Sequence, residues 1–340
     1  MAQGADAGSP WHAPEVRDGG ARAARPREAE DQGKDQNLQD DQDRGQADIA
    51  PPGVEYRAIA PGEHREAAQL FFDSLTALTL RYNALPPPPE LLDEEEAGYQ
   101  FVDRTGIFRV AVAEGRLVAL ACAIHRDDEW FLSGFWASAD ARQQGIGGPL
   151  LRQVWDEGVR RGARRQFVWS SIDPTAIATY MKLGMLPGSQ LFVFSGAPRA
   201  DARAGLETTA LTAEVASSVD DTIRGVPRAV DHEWWASKAG VVGRAVTKRG
   251  KVAGYYYLDK GQIGPAAWLA PEEGPALLAS AIREAALTAD EVKIVVPGMN
   301  RVGLETVLGA GLRLVRTSHL LWTAPFGRME QYIPSGPLLF

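Results

Sequence analysis

Ten consecutive residues, Arg142-Gln143-Gln144-Gly145-Ile146-Gly147-Gly148-Pro149-Leu150-Leu151, hold the clearest chemical signal in the chain. They join a strand-like segment to one with helical spacing, so they form a strand-to-helix connection. Three glycines let the backbone approach a ligand closely and adopt positive φ. Pro149 suits a first helical turn, where its missing N–H costs nothing. The free N–H groups at such a helix start, with the helix dipole, attract an anion. The Arg142 guanidinium adds a fork matched to phosphate oxygens. No Lys-Ser/Thr pair follows the glycines, which excludes the P-loop. The dinucleotide fingerprint fails as well, because its third glycine would fall at Leu150 and no βαβ unit precedes it. A glycine-rich turn that only lets strand and helix pack stays open for the loop taken alone.

Few other side chains compete for a chemical role. Cys122 lies inside the apolar run Leu120-Ala121-Cys122-Ala123-Ile124 and reads as a small core residue, not a nucleophile. As the single cysteine it excludes an internal disulfide framework and a cysteine-based zinc site. No metal is expected, and a reducing cytoplasm is the expected location. His125 titrates near neutrality, but a histidine at a strand end usually serves structure. The formal charge of −8 offers no basic face for nucleic acid. Residues 1–52 hold 11 acidic and 6 basic side chains, so this segment accounts for most of that charge. With almost nothing to bury, it is expected to be a disordered tail. No run of apolar residues is long enough to cross a membrane, and the N-terminus lacks a secretory apolar region.

The elements that must position the loop alternate along the chain. Val54–Ile59 reads as a strand and residues 62–80 as a helix with Ala67, Leu70, Phe71 and Leu75 on one face. The run Pro86–Pro89 is a stiff extended connection. Strands at 107–113, 117–125 and 130–137, joined by tight turns, make an antiparallel meander. A helix at 149–161, a strand at 166–171, a helix at 174–183 and a strand at 190–195 follow. The result is an α+β layer of helices packed on a mixed sheet.

Arg142-Gln143-Gln144-Gly145-Ile146-Gly147 resembles the Gln/Arg-x-x-Gly-x-Gly/Ala pyrophosphate loop of GNAT N-acetyltransferases. A second segment, Asp173-Pro174-Thr175-Ala176-Ile177-Ala178-Thr179-Tyr180-Met181-Lys182-Leu183-Gly184-Met185, is similar to the Asn-x-x-Ala-x-x-x-Tyr-x-x-x-Gly-Phe motif of that family. Asp173 replaces the usual Asn and Met185 the usual Phe. The resemblance covers about residues 54–197 and implies an N-acyltransferase that moves an acetyl or other short acyl group from acetyl-CoA to a primary amine. The acceptor would be a small molecule or a peptide, and the protein a monomer or homodimer. The resemblance further implies that backbone groups of Phe135, Trp136 and Ala137 meet the thioester and pantetheine. The loop through Gly148, with Asp173 and Ala176, would hold the rest of the cofactor. Tyr180 would be the general acid and Glu129 a candidate base. The acidic run Asp93-Glu94-Glu95-Glu96 falls in the segment that walls the acceptor site in that family, though a solvated loop explains it more simply. A non-catalytic CoA-binding or interaction module is the alternative reading.

The second half repeats the order: a meander at 241–269, then helix, strand, helix and strand. Leu150-Leu151 maps onto Leu277-Leu278, Asp173 onto Asn300 and Gly184 onto Gly311, each 127 residues later. Tandem GNAT-like domains are therefore expected at 53–197 and 198–340. The rear copy should be degenerate. Thirteen residues separate Trp136 from Leu150, but only 8 separate Trp268 from Leu277, and the shortened loop carries Glu272 and Glu273 without an arginine. Val307 stands where Tyr180 stands in front.

Overall fold

A computed structural model describes residues 51–82, 84, 86–199 and 206–340. The tail read as disordered lies outside these residues, apart from Pro51 and Pro52. The front copy starts with β1 (Val54–Ala58), α1 (His64–Arg81) and α2 (Leu91–Thr105). The meander β2 (Ile107–Ala113), β3 (Arg116–Arg126) and β4 (Glu129–Ala137) follows. After it come the short α3 (Ala139–Gln143), α4 (Gly147–Arg160), β5 (Arg165–Ser170), α5 (Pro174–Lys182) and β6 (Leu186–Gly196). The rear copy runs β7 (Glu207–Ala210), α6 (Ala213–Ile223), α7 (Ala229–Ser237), β8 (Val242–Lys248), β9 (Lys251–Asp259) and β10 (Gln262–Trp268). It closes with α8 (Gly274–Ala285), β11 (Val292–Pro297), α9 (Arg301–Gly309), β12 (Arg313–Trp322) and β13 (Tyr332–Ile333).

The repeat seen in sequence is a repeat of structure. Leu150, Leu151, Leu277 and Leu278 are all buried beneath their helices. Asp173 caps α5 by accepting from the Thr175 N–H, and Asn300 caps α9 by accepting from the Gly303 N–H. Gly184 at φ 86° and Gly311 at φ 84° turn the chain out of each helix, a conformation that penalises any Cβ. Glu114-Gly115 and Arg249-Gly250 close the first hairpin of each meander with paired positive φ values, matching the twist of the strands they join.

Each copy is a mixed, mostly antiparallel sheet flanked by helices, as expected. The pairing between copies was not foreseen. The strand order is β1-β2-β3-β4-β5-β12-β6-β11-β10-β9-β8-β7, so the front copy lends β6 to the rear and the rear copy lends β12 to the front. β12 lies between β5 and β6, and β6 lies between β12 and β11. Two cores cover one face, one under α4 and α5 and the other under α8 and α9. On the opposite face a single core runs through both copies beneath α1, α2, α6 and α7.

The acidic run at 93–96, read as a solvated loop, forms the first turns of α2. Asp93 and Glu94 there favour the helix dipole, while Tyr99, Phe101 and Val102 anchor the helix to the sheet. Periodicity in this segment is masked by its charges, so only the packing reveals the helix.

Candidate active site

The loop from Ser138 to Gly148 folds as two helix turns separated by one residue in the left-handed region. Ser138 caps α3 by accepting from the Ala141 N–H, and Gly145 then reverses the chain at φ 71°. α4 starts at Gly147 with no side-chain cap and no acidic residue in its first turn. Its leading N–H groups are thus left to an anion. A Cβ built on Gly148 would meet nothing within 4 Å, so the space before the helix is open.

That opening continues into a break in the sheet. β4 and β5 run parallel and pair from Glu129↔Arg165 only as far as Leu132↔Val168. A bulge at Ser133 shifts the β3–β4 register between Cys122 and Ala123, which turns the rest of β4 away from β5. From Gly134 onward β4 has, among the described residues, a partner on one side only. Its free edge offers backbone N–H and C=O groups to an extended ligand, as a sheet edge does to an added strand.

Loop, free edge and α5 enclose one cleft with a volume of about 460 Å³, within the ordinary range for small-ligand sites. Phe135, Trp136 and Ala137 line it from β4. Arg142, Gly145, Gly147 and Gly148 line it from the loop and α4, and Asp173, Ala176 and Tyr180 from α5. The structure does not bring Gln143, Gln144 or the Ile146 side chain into this lining. Gln143 and Gln144 are exposed, whereas Ile146 is buried in the core and its carbonyl accepts from the Tyr56 hydroxyl at 3.0 Å. Three cations absent from the sequence reading, Arg81, Arg152 and Lys182, join Arg142 around the cleft. Arg152 stands four residues after Gly148, one turn along the same helix face, and that spacing was the available signal. Arg81 reaches the Asp173 carboxylate at 3.3 Å and offsets the charge that replaces the usual Asn.

Tyr180 is 6% exposed and packs edge-on to Phe135 at a ring separation of 6.4 Å. Burial first, and the Asp173 carboxylate second, hold its hydroxyl well above the ordinary phenol range. It therefore keeps its proton at neutral pH and can donate it.

Glu129 does not join the site. It sits at the opposite end of β4 from Ala137, roughly 25 Å away at the usual strand rise. It is 3% exposed, and its Oε2 accepts from Arg224 of the rear copy at 2.7 Å. A carboxylate in a buried ion pair with a guanidinium is a cross-link between copies, so the reading of Glu129 as base is withdrawn. His125 lies at the same distant end, opposite Trp130. Cys122 is fully buried, and burial with the nearby Glu95 pushes its thiol well above the ordinary range, which suits packing and not nucleophilic attack.

The rear copy repeats the break in the sheet and then fills it. β10 pairs with β11 only at Gln262↔Lys293 and Ile263↔Ile294. Beyond that point β13 enters the gap, with Ala266↔Ile333 and Ala267↔Tyr332. The Gln331 side chain donates to the Trp268 carbonyl at 2.8 Å, and the Asn300 amide donates to the Tyr332 carbonyl at 3.0 Å. Above the gap, a Cβ on Gly274 would fall 2.7 Å from the Trp268 ring and 2.8 Å from Val302. The chain thus plugs the rear gap with its own strand, in addition to the shorter loop and the loss of the tyrosine read from the sequence.

Comparison with known proteins agrees with this architecture. Residues 72–185 match the family model described as Acetyltransferase (GNAT) family. Comparison with curated proteins gives no match. Among solved structures, a Pyrococcus horikoshii protein described as an acetyltransferase superposes with a TM-score of 0.69 at 16% identity, over 86% of this chain and 98% of that one. A GCN5-related N-acetyltransferase from Sphaerobacter thermophilus gives 0.58 at 16% identity, over 82% and 98%. A tandem GNAT protein from the clavulanic acid biosynthesis pathway gives 0.52 at 14% identity, over 80% and 99%. At such identities the likeness is one of fold.

Proposed function

We propose that the front copy, whose residues 72–185 match the GNAT acetyltransferase family model, transfers an acetyl or other short acyl group from acyl-CoA to a primary amine. One observation carries this reading: the free edge of β4, the uncapped start of α4 and the Tyr180 hydroxyl all open into the same cleft. Together they suit a ligand with an anionic head and an extended, amide-bearing arm.

The cleft fits coenzyme A in the chemistry of its donors. Arg142, Arg152 and the Gly147 and Gly148 N–H groups would hold the diphosphate, and the edge of β4 from Gly134 to Ala137 would pair with the pantetheine amides. When bound, the thioester supplies an electrophilic acyl carbon and a sulfur leaving group. The protein's part is positioning and proton supply. A backbone N–H near Phe135–Ala137 would donate to the carbonyl oxygen as charge develops, a contact worth about 10²–10³-fold in rate. Tyr180 would donate its proton toward the departing sulfur as negative charge forms there. The rear copy would serve as scaffold, since its gap is filled and Val307 supplies no proton.

The test is release of free thiol from acetyl-CoA over a panel of amines. Turnover in wild type that falls in Tyr180→Phe, with acetyl-CoA affinity retained, supports transfer. Tight CoA binding without turnover, in both proteins alike, would identify a binding module instead.

A further inference from the structure

Four acidic residues, Asp93, Glu94, Glu95 and Glu96, stand in the first turns of α2, and three of them have cationic partners. Arg65 pairs with Asp93 and, at 3.0 Å, with Glu96, while Lys260 Nζ lies 2.9 Å from Glu94 Oε1. Glu95 forms no ion pair among the described residues. The residue is half-buried with its carboxyl turned inward, and burial pushes that carboxyl up to about 7 against the opposing influence of the Tyr99 hydroxyl. Glu94 raises it further. Cys122, from β3, is the remaining titratable group that senses it.

Tyr99 follows Glu95 by one helical turn, so the two share a face of α2. Its side chain is fully buried, yet its hydroxyl makes no hydrogen bond of normal geometry. An unpartnered buried hydroxyl is uncommon and points to an absent partner. That hydroxyl meets β4 in the segment with the free edge. A Cβ on Gly134 would lie 3.4 Å from Tyr99 Oη and 3.0 Å from Cys122 Sγ. Side chains alternate along a strand, and the next residue, Phe135, turns to the other face, toward Tyr180. The break in the sheet is thus flanked by a phenol on each face, and behind one of them stands a buried carboxylate with no cation. Such a group is costly to ionise until a positive charge joins it.

We propose that Glu95, assisted by Tyr99, receives an aliphatic amine as its ammonium ion and takes its first proton, on the face of β4 opposite Tyr180. This rests on the acyltransferase reading. The carboxylate removes one proton from R–NH₃⁺, leaving R–NH₂ and the Glu95 carboxylic acid. The freed nitrogen lone pair forms the C–N bond to the acyl carbon while the C–S electron pair leaves with sulfur. Sulfur takes the Tyr180 proton, and the nitrogen's second proton restores Tyr180. The products are amide and thiol, with one proton on Glu95 that returns to water.

Carboxyl carbon NMR of the full chain, with Glu95→Gln to identify the resonance, tests the site without turnover. The Glu95 signal should titrate near 7 and move to lower pH when n-butylamine is added, because a bound cation favours the charged form. Glu95→Gln should lose amine-dependent thermal stabilisation and lower kcat/KM for the amine by about 10²–10⁴-fold, with acetyl-CoA affinity unchanged. Tyr99→Phe keeps the buried ring, so it should stay folded while binding butylamine more weakly. A Glu95 signal indifferent to butylamine, or full turnover in Glu95→Gln, overturns the proposal and leaves the acyltransferase reading intact. A signal that responds to the amine in a protein that acylates nothing supports the Glu95 site and removes that reading.

Discussion

Gly148→Glu places a carboxylate in the first turn of α4 and should separate stability from binding. The backbone there is not in the left-handed region, and a Cβ has free space around it, so the side chain enters without steric cost. An acidic residue at an uncapped helix start should stabilise the protein without ligand by about 0.3–1 kcal/mol. The same charge would face the diphosphate. At a separation of about 5 Å and an effective dielectric near 20, one pair of like charges costs about 3 kcal/mol, falling below about 1 kcal/mol under full water screening. Gly148 is exposed, which pulls the expected figure toward the lower limit. The predicted loss of acetyl-CoA affinity is about 5–30-fold. Isothermal titration calorimetry measures it, with Gly148→Gln as a neutral control of equal size. The gap between the two variants should narrow as salt rises. Equal affinities for wild type, Gly148→Gln and Gly148→Glu would show that no phosphate lies before α4.

Three further outcomes follow from the same geometry. Tyr180→Phe should lower kcat by about 10²–10⁴-fold with acetyl-CoA affinity retained, since the ring still packs on Phe135; a pre-steady-state thiol assay measures it. Glu129→Gln removes the carboxylate hydrogen-bonded to the buried Arg224 guanidinium and should cost about 3–5 kcal/mol, lowering the melting temperature by on the order of 10 °C. Turnover per folded molecule should stay near wild type in that variant, and a selective loss of kcat would restore Glu129 to the site. Gly188→Ala would put a methyl 2.0 Å from the Trp322 ring at the exchanged-strand seam. Overpacking there should destabilise by about 1–3 kcal/mol in denaturant titration.

Much of the site was legible because its signals are local. The glycines, the proline and Arg142 specify a turn and a helix start within ten residues, and the Asp173 cap fixes the helix that presents Tyr180. The duplication was legible for the same reason: buried leucine pairs, capping residues and turn glycines recur at one spacing and do the same work twice. The added cations Arg81, Arg152 and Lys182 were harder to see, because a charged side chain on an amphipathic helix looks the same whether it faces solvent or a cleft.

Sequence by itself determined the two meanders and the helices and strands that follow them, and which loop leaves free N–H groups, since those follow from side-chain period and backbone preference over a few residues. The tertiary structure alone decided who pairs with whom. Every strand edge presents the same row of donors and acceptors, so nothing local in β6 and β12 foretells that they exchange places, or that β13 fills the rear gap while, among the described residues, no strand fills the front one. Glu129 and Glu95 show the same division. Both stand in short acidic runs that read alike in sequence. One was packed against a guanidinium 95 positions away, and the other was buried without a cation, because charge pairing depends on which surfaces the fold brings together.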